Sequence, residues 1–138
     1  MAALGSYAIK SIELQRYLLC NEDATLQFSG EDSTVANASF DLEAGGSEKV
    51  NIKSSNGLYW RRVDQNSYRI VSLAVEPNED QSSWSSTLFK IVKDEKNKDR
   101  ILHVQLGHYI EPNPVDSARV YALQKDPSDN QIVQFEKK

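Results

Sequence analysis

Thr87-Leu88-Phe89-Lys90-Ile91, a charged stretch over 93–100, and then Ile101-Leu102-His103-Val104-Gln105-Leu106-Gly107-His108-Tyr109-Ile110 form the part of the chain that decides the fold. Apolar and polar residues alternate through it with a period of two, the mark of half-buried strands rather than of a helix. Gly107 stands where the chain must reverse, and short hairpin turns need the backbone freedom that glycine supplies. The segment therefore reads as a Phe-bearing strand, a second strand, a tight turn and an aromatic strand.

The same order recurs to either side. Ala8-Ile9-Lys10-Ser11 and Val50-Asn51-Ile52-Lys53-Ser54 match the strand that opens at Ile101, while Arg16-Tyr17-Leu18-Leu19 and Leu58-Tyr59-Trp60-Arg61 match His108-Tyr109-Ile110. Tyr17, Tyr59 and Tyr109 fall in one place, and Asn56-Gly57 supplies a turn like that at Gly107. Third strands follow at Thr25-Leu26-Gln27-Phe28, Tyr68-Arg69-Ile70-Val71-Ser72-Leu73 and Arg119-Val120-Tyr121-Ala122-Leu123. Each unit closes on a Phe strand, and Phe40, Phe89 and Phe135 recur roughly 45 to 50 residues apart, a spacing that belongs to repeat architectures. β-branched and aromatic residues dominate the ordered segments, so the chain is all-β. Four strands in each of three pseudo-repeats predict a twelve-stranded β-trefoil, in which six strands close a barrel and three hairpins cap one end, leaving no open sheet edge. The recurrent Ile, Leu and Phe positions are expected to fill the barrel. A sandwich would need no threefold recurrence.

The loops at 31–37, 77–86, 93–100, 111–118 and 126–131 are polar, and the charges in 93–100 alternate in sign, which reads as a solvated surface. No linker interrupts the pattern, so residues 1–138 are expected to form a single domain, long enough to bury one core.

A net charge of -4 lacks the basic surplus that gathers phosphate backbones, so no nucleic-acid partner is expected. The first fifteen residues contain Lys10 and Glu13 without a signal-type apolar run, which gives cytoplasm and nucleus as the expected location. No stretch approaches the roughly 20 apolar residues that cross a bilayer as a helix, so no membrane insertion is expected. Cys20, the only cysteine, permits no internal disulfide, fits a reducing compartment and reads as a small strand residue.

Catalytic patterns are poorly supported. His103 and His108 are five apart, which in one extended strand sends them to opposite faces and matches no helical zinc spacing, so neither a metal nor another cofactor is expected. The acidic residues sit mainly in loop runs, without the apolar setting that raises a carboxyl pKa for acid catalysis. The six glycines are scattered and form no phosphate-cradling loop. What remains is a β scaffold displaying aromatic rings among amides, hydroxyls and carboxylates. That is the chemistry of sugar recognition: a ring packs on the C–H face of the sugar while polar groups meet its hydroxyls.

The run from Trp84 through Thr87-Leu88-Phe89 to Leu102-His103-Val104-Gln105-Leu106-Gly107-His108-Tyr109 closely resembles the amaranthin-type plant lectins, the agglutinin domain family. Alternation constrains polarity but not identity, so it does not account for such a match. The likeness extends to Leu26-Gln27-Phe28-Ser29-Gly30-Glu31-Asp32, to Ile52-Lys53-Ser54 and to the acidic loop Ala74-Val75-Glu76-Pro77-Asn78-Glu79-Asp80. It implies a β-trefoil that binds galactose and N-acetylgalactosamine glycans, notably Galβ1-3GalNAc, without a metal, and a setting in plant defence or stress.

The resemblance also implies a site. The family's Pro-Asn-His-Tyr/Trp-Trp loop matches Gln65-Asn66-Ser67-Tyr68-Arg69, so Asn66 and Tyr68 carry over while Ser67 and Arg69 replace the family's His and Trp. The founding lectin has two such domains per chain and places its sugar between domains of different subunits, which implies a homodimer here. The candidate sugar-contacting residues are Asn66, Ser67, Tyr68 and Arg69 with Trp60, His108 and Tyr109. Trp60 alternates with Tyr59, so one of the two is core; Trp84 reads as a barrel plug or loop pin. The rival reading is a trefoil without sugar binding that serves as a protein-interaction or targeting module.

Overall fold

The computed structural model describes residues 4–138. Twelve strands run in order: β1 (Gly5–Ser11), β2 (Arg16–Cys20), β3 (Leu26–Gly30), β4 (Phe40–Ala44), β5 (Val50–Ser54), β6 (Tyr59–Arg62), β7 (Ile70–Ala74), β8 (Leu88–Lys93), β9 (Asp99–His103), β10 (His108–Asn113), β11 (Arg119–Gln124) and β12 (Val133–Lys137). Helix among the described residues is confined to single 3-10 turns at Ala36–Ala38, Pro114–Asp116 and Asp129–Gln131.

Six strands pair antiparallel in a closed ring, β1-β4-β5-β8-β9-β12 and back to β1. The hairpins β2–β3, β6–β7 and β10–β11 hang from β1, β5 and β9. They join one another through the pairs Arg119↔Gln27, Thr25↔Val71 and Arg69↔Tyr121, a triangle that caps the barrel. This is the β-trefoil that the repeats predict. Gly57 (φ 81°) and Gly107 (φ 69°) take the left-handed conformation in their turns, a region that costs residues with a Cβ.

The register fixes which residues are equivalent. Ser11 pairs Val133, Ser54 pairs Phe40 and His103 pairs Phe89, so these three pairs are one position seen three times. One strand step inward, Ile9, Ile52 and Ile101 form a fully buried ring. In each repeat the ladder slips directly after the tyrosine, and the next residues, Leu18, Trp60 and Ile110, turn into the core. Leu26, Ile70 and Val120 close the layer below the cap. Each such side chain contributes roughly 1.5–3 kcal/mol by leaving water.

One expectation needs correction. Phe40 and Phe89 are equivalent and fully buried, but the third member of that set is Val133. Phe135 lies two residues further on, level with Leu42 and Ile91, half-buried and edge-on to Tyr7 at 5.7 Å. A two-residue offset keeps a side chain on the same face of a strand, so alternation cannot detect it.

Candidate functional site

The loop between β6 and β7 presents the residues singled out in the sequence. Asp64 accepts from the Asn66 amide at 2.8 Å, and Ser67 Oγ accepts from the Arg69 amide at 3.1 Å, two tight side-chain turns that shape the loop. Arg62, buried beneath it, donates from Nε to the Ser67 carbonyl at 3.0 Å, from Nη2 to Gln65 at 3.1 Å and from Nη1 to Gln105 Oε1 at 3.1 Å. Two bonds from one planar guanidinium hold the loop in one shape, and the third anchors that guanidinium to Gln105.

Tyr68 stands out from this loop with 45% of its surface exposed. Its ring is tilted against His108 at 5.4 Å, and the Arg62 guanidinium lies 5.9 Å from its centroid. His108 Nδ1 lies 2.9 Å from the Ala122 carbonyl. A carbonyl only accepts, so Nδ1 carries the proton there, and the imidazole's neutral form leaves Nε2 as an acceptor. The Tyr68 carbonyl accepts from the Ala122 amide at 2.8 Å, which ties the loop to β11. The Asn66 side-chain amide has no hydrogen-bond partner among the described residues and is exposed. Arg69 pairs in register with Tyr121. The Tyr121 hydroxyl, with the charges of Arg119 and Arg69, holds the Asp116 carboxyl below its usual range.

Asn66, Ser67, Tyr68, Arg69 and His108 therefore share one surface of the cap. Two predicted residues do not join it. Trp60 is fully buried, edge-on between Phe40 and Phe89 at 5.6 Å each, with Nε1 donating to Ser54 Oγ at 2.9 Å, so it is a core residue and meets no ligand. Tyr109 lines a separate cleft on the barrel side.

Further expectations change. His103 and His108 are register partners across the β9–β10 hairpin rather than on opposite faces, because the turn at 104–107 reverses the chain between them. His103 is fully buried, its Nδ1 accepting from the Leu106 amide at 3.1 Å, and burial first, then the charges of Arg62 and His108, pushes its pKa down to about 4. No group of three or more metal-ligating side chains forms among the described residues. Trp84 is a loop pin rather than a plug, half-buried with the Arg61 guanidinium 5.4 Å from its ring. Arg100, at the end of the stretch read as solvated, is buried and bridges Asp94 (2.8 Å) and the Ser128 carbonyl (3.1 Å).

A family model for the Agglutinin domain matches residues 6–130. The chain belongs to the agglutinin domain family. No curated protein sequence matches this agglutinin domain. Among solved structures it is similar to a designed threefold-symmetric protein, ThreeFoil, at 12% identity and TM-score 0.79, over 97% of this chain and 99% of that one. It is also similar to a mosquitocidal holotoxin at 13% identity and TM-score 0.81, over 99% of this chain but only 17% of the holotoxin. Identities this low show the fold, and it is the β-trefoil. Family and fold together support a lectin-type carbohydrate-binding module.

Sequence reasoning passed over Arg62 and Gln105, which hold the agglutinin domain's Tyr68 loop from below. A signal for Arg62 existed: it is a charged residue two positions past Trp60, on the inward face of β6, where Cys20 and Pro112 stand in the other repeats. Cys20 is itself buried, and burial pushes its thiol pKa up, in keeping with a structural strand residue.

Proposed function

We propose that this domain is a metal-independent lectin for galactose-type glycans, with N-acetylgalactosamine and Galβ1-3GalNAc as ligands, and that Tyr68 is its stacking platform. The observation that carries this reading is the exposed Tyr68 ring, fixed on one side by His108 and Arg62 and bordered by the free Asn66 amide. An immobilised ring loses little entropy on stacking, and the C–H face of a galactose-type ring is the apolar surface it suits. Asn66 supplies a donor and an acceptor, Ser67 a hydroxyl, His108 Nε2 an acceptor and Arg69 a fixed positive charge. The family's two-domain arrangement supports a homodimer as the working unit. The lone, buried Cys20 fits a cytoplasmic and nuclear setting, and a role in plant defence or stress accords with the family.

Titration calorimetry with Galβ1-3GalNAc tests the reading. Tyr68→Ala should weaken binding by roughly tenfold or more, in line with an aromatic platform worth about 1.5 kcal/mol, and leave unfolding by denaturant almost unchanged. Equal heats in wild type and variant would move the site elsewhere. A second reading, a targeting or interaction module without sugar binding, draws support from the holotoxin, where a trefoil of this shape is a small part of a long chain. An empty glycan array at high protein concentration would favour it.

A further inference from the structure

The three repeats treat their equivalent tyrosines differently. In repeat one, Lys10 pairs with Tyr17 and sets its ammonium 5.3 Å from the ring centre, while the Tyr17 hydroxyl donates to Glu136 at 2.8 Å. In repeat two, Lys53 does the same to Tyr59 at 5.6 Å, and its hydroxyl donates to Glu43 at 2.6 Å. The register gives the third set directly. Leu102 stands in the lysine position opposite Tyr109, and Val92, opposite Arg100, stands where Glu43 and Glu136 stand. The Tyr109 hydroxyl has no hydrogen-bond partner among the described residues, and the lysine and glutamate that flank the other two rings are missing.

Tyr109 opens instead onto a cleft of about 700 Å³, the size of a small-ligand site. Val92, Pro127 and Ile132 give it apolar walls beside the ring. Its two rims are locked together by Arg100, which reaches Asp94 on one and the Ser128 carbonyl on the other. Asp94 Oδ1 also accepts from the Lys96 and Lys98 amides at 2.8 and 3.0 Å, and Ser128 is fixed by its reciprocal bonds with Gln131. With Asp94 and Arg100 paired, the free charges on the lining are Glu13, Glu95 and Asp129 against Lys96 and Lys98. A pre-formed cleft with one free aromatic ring, aliphatic walls and near-balanced donors and acceptors suits a neutral, polyhydroxylated ring.

We infer that the Tyr109 cleft is a second glycan-binding site, for a neutral hexopyranose, which makes a single chain bivalent. The inference takes its ligand class from the lectin reading, but its residues are separate from the Tyr68 surface. The experiment is a methyl-resolved NMR titration with the methyl glycosides of galactose, N-acetylgalactosamine, glucose and mannose. Saturable shifts at Val92 and Ile132 with at least one sugar are expected. Tyr109→Phe should weaken that response roughly fivefold through one lost hydrogen bond. Rebuilding the other repeats' arrangement with Val92→Glu and Leu102→Lys should abolish it while Tyr68 still responds. Shifts near Tyr68 alone would overturn the second site and leave the first. Shifts in the cleft alone would support it and overturn the Tyr68 reading, and shifts at neither would overturn both. An unaltered response in the double variant would overturn the inference outright.

Discussion

Repeats one and two close their outer tyrosines under a lysine and a glutamate and place Ser11 and Ser54 at the foot of the hairpin; repeat three has Leu102, Val92 and His103 at the same three positions. Yet all three share the isoleucine ring and the slipped ladder after the tyrosine. Threefold likeness is strict at the isoleucine ring, because three strands must fill one space there at close-packed density. It lapses where the buried His103 replaces Ser11 and Ser54, and on the outer face, where a substitution is answered only by its neighbours. In a fold of this kind, the repeat that departs from its siblings is the first place to look for a ligand.

The largest expected break in the comparison is in the core. Phe89→Ala should cost about 3 to 5 kcal/mol, because its volume is emptied into a packed interior. Phe135→Ala should cost distinctly less, since repeat three puts Val133 at the deep position and leaves Phe135 half-buried. Urea titrations of the two variants decide; equal losses would show the repeats to be aligned on their phenylalanines after all.

His103 gives repeat three a pH response that serine cannot. Its folded pKa, about 4, lies below the unfolded value of about 6.5, so its contribution is fully present above pH 6.5. It is lost as pH falls towards 4, an effect on the order of 3 kcal/mol when complete. His103→Asn keeps an acceptor for the Leu106 amide and removes the titration. Stability measured from pH 7 to pH 4 should therefore fall less steeply in the variant, and parallel curves would show that His103 is not held neutral.

The smallest effect separates the tyrosines themselves. Tyr17→Phe and Tyr59→Phe each delete a hydroxyl donated to a carboxylate and should both lower stability, by about 1 kcal/mol at the buried Tyr59 and by less at the more exposed Tyr17. Tyr109→Phe deletes a hydroxyl without a partner and should leave stability within about 0.5 kcal/mol of wild type. Denaturation midpoints of the three, read side by side, would collapse the contrast if they coincide.

Strand positions and the tyrosine register were legible in the sequence because alternation marks each strand and glycine turns at Gly57 and Gly107 fix two of the repeats locally, while repeat one turns through Gln15 at φ 53°. The phenylalanine register was not, since a shift of two leaves polarity unchanged. Trp60 could have been assigned to the core by aligning on the tyrosines, which sets it beside Leu18 and Ile110. The contacts around Tyr17 and Tyr59 were out of reach for a different reason. Each draws its lysine from the preceding strand and its glutamate from one paired with that strand, so the contrast with Tyr109 emerges only once barrel pairing is known. The Tyr68 loop was recognisable by resemblance. Its support by Arg62 and Gln105, which come from different repeats, was not.

The barrel closes where β1 meets β12, with Tyr7 opposite Lys137 and Ser11 opposite Val133. That seam joins first strand to last, and the ring of pairings does not depend on which neighbouring strands the chain connects. Joining Gly5 to Lys137 through a short bridge and cutting the β4–β5 turn at Gly46 would yield a circular permutant with strand order β5 to β12 and then β1 to β4. The same barrel and the same triangle of hairpins would form, with repeat three now at the centre of the sequence and its cleft flanked on both sides by continuous chain.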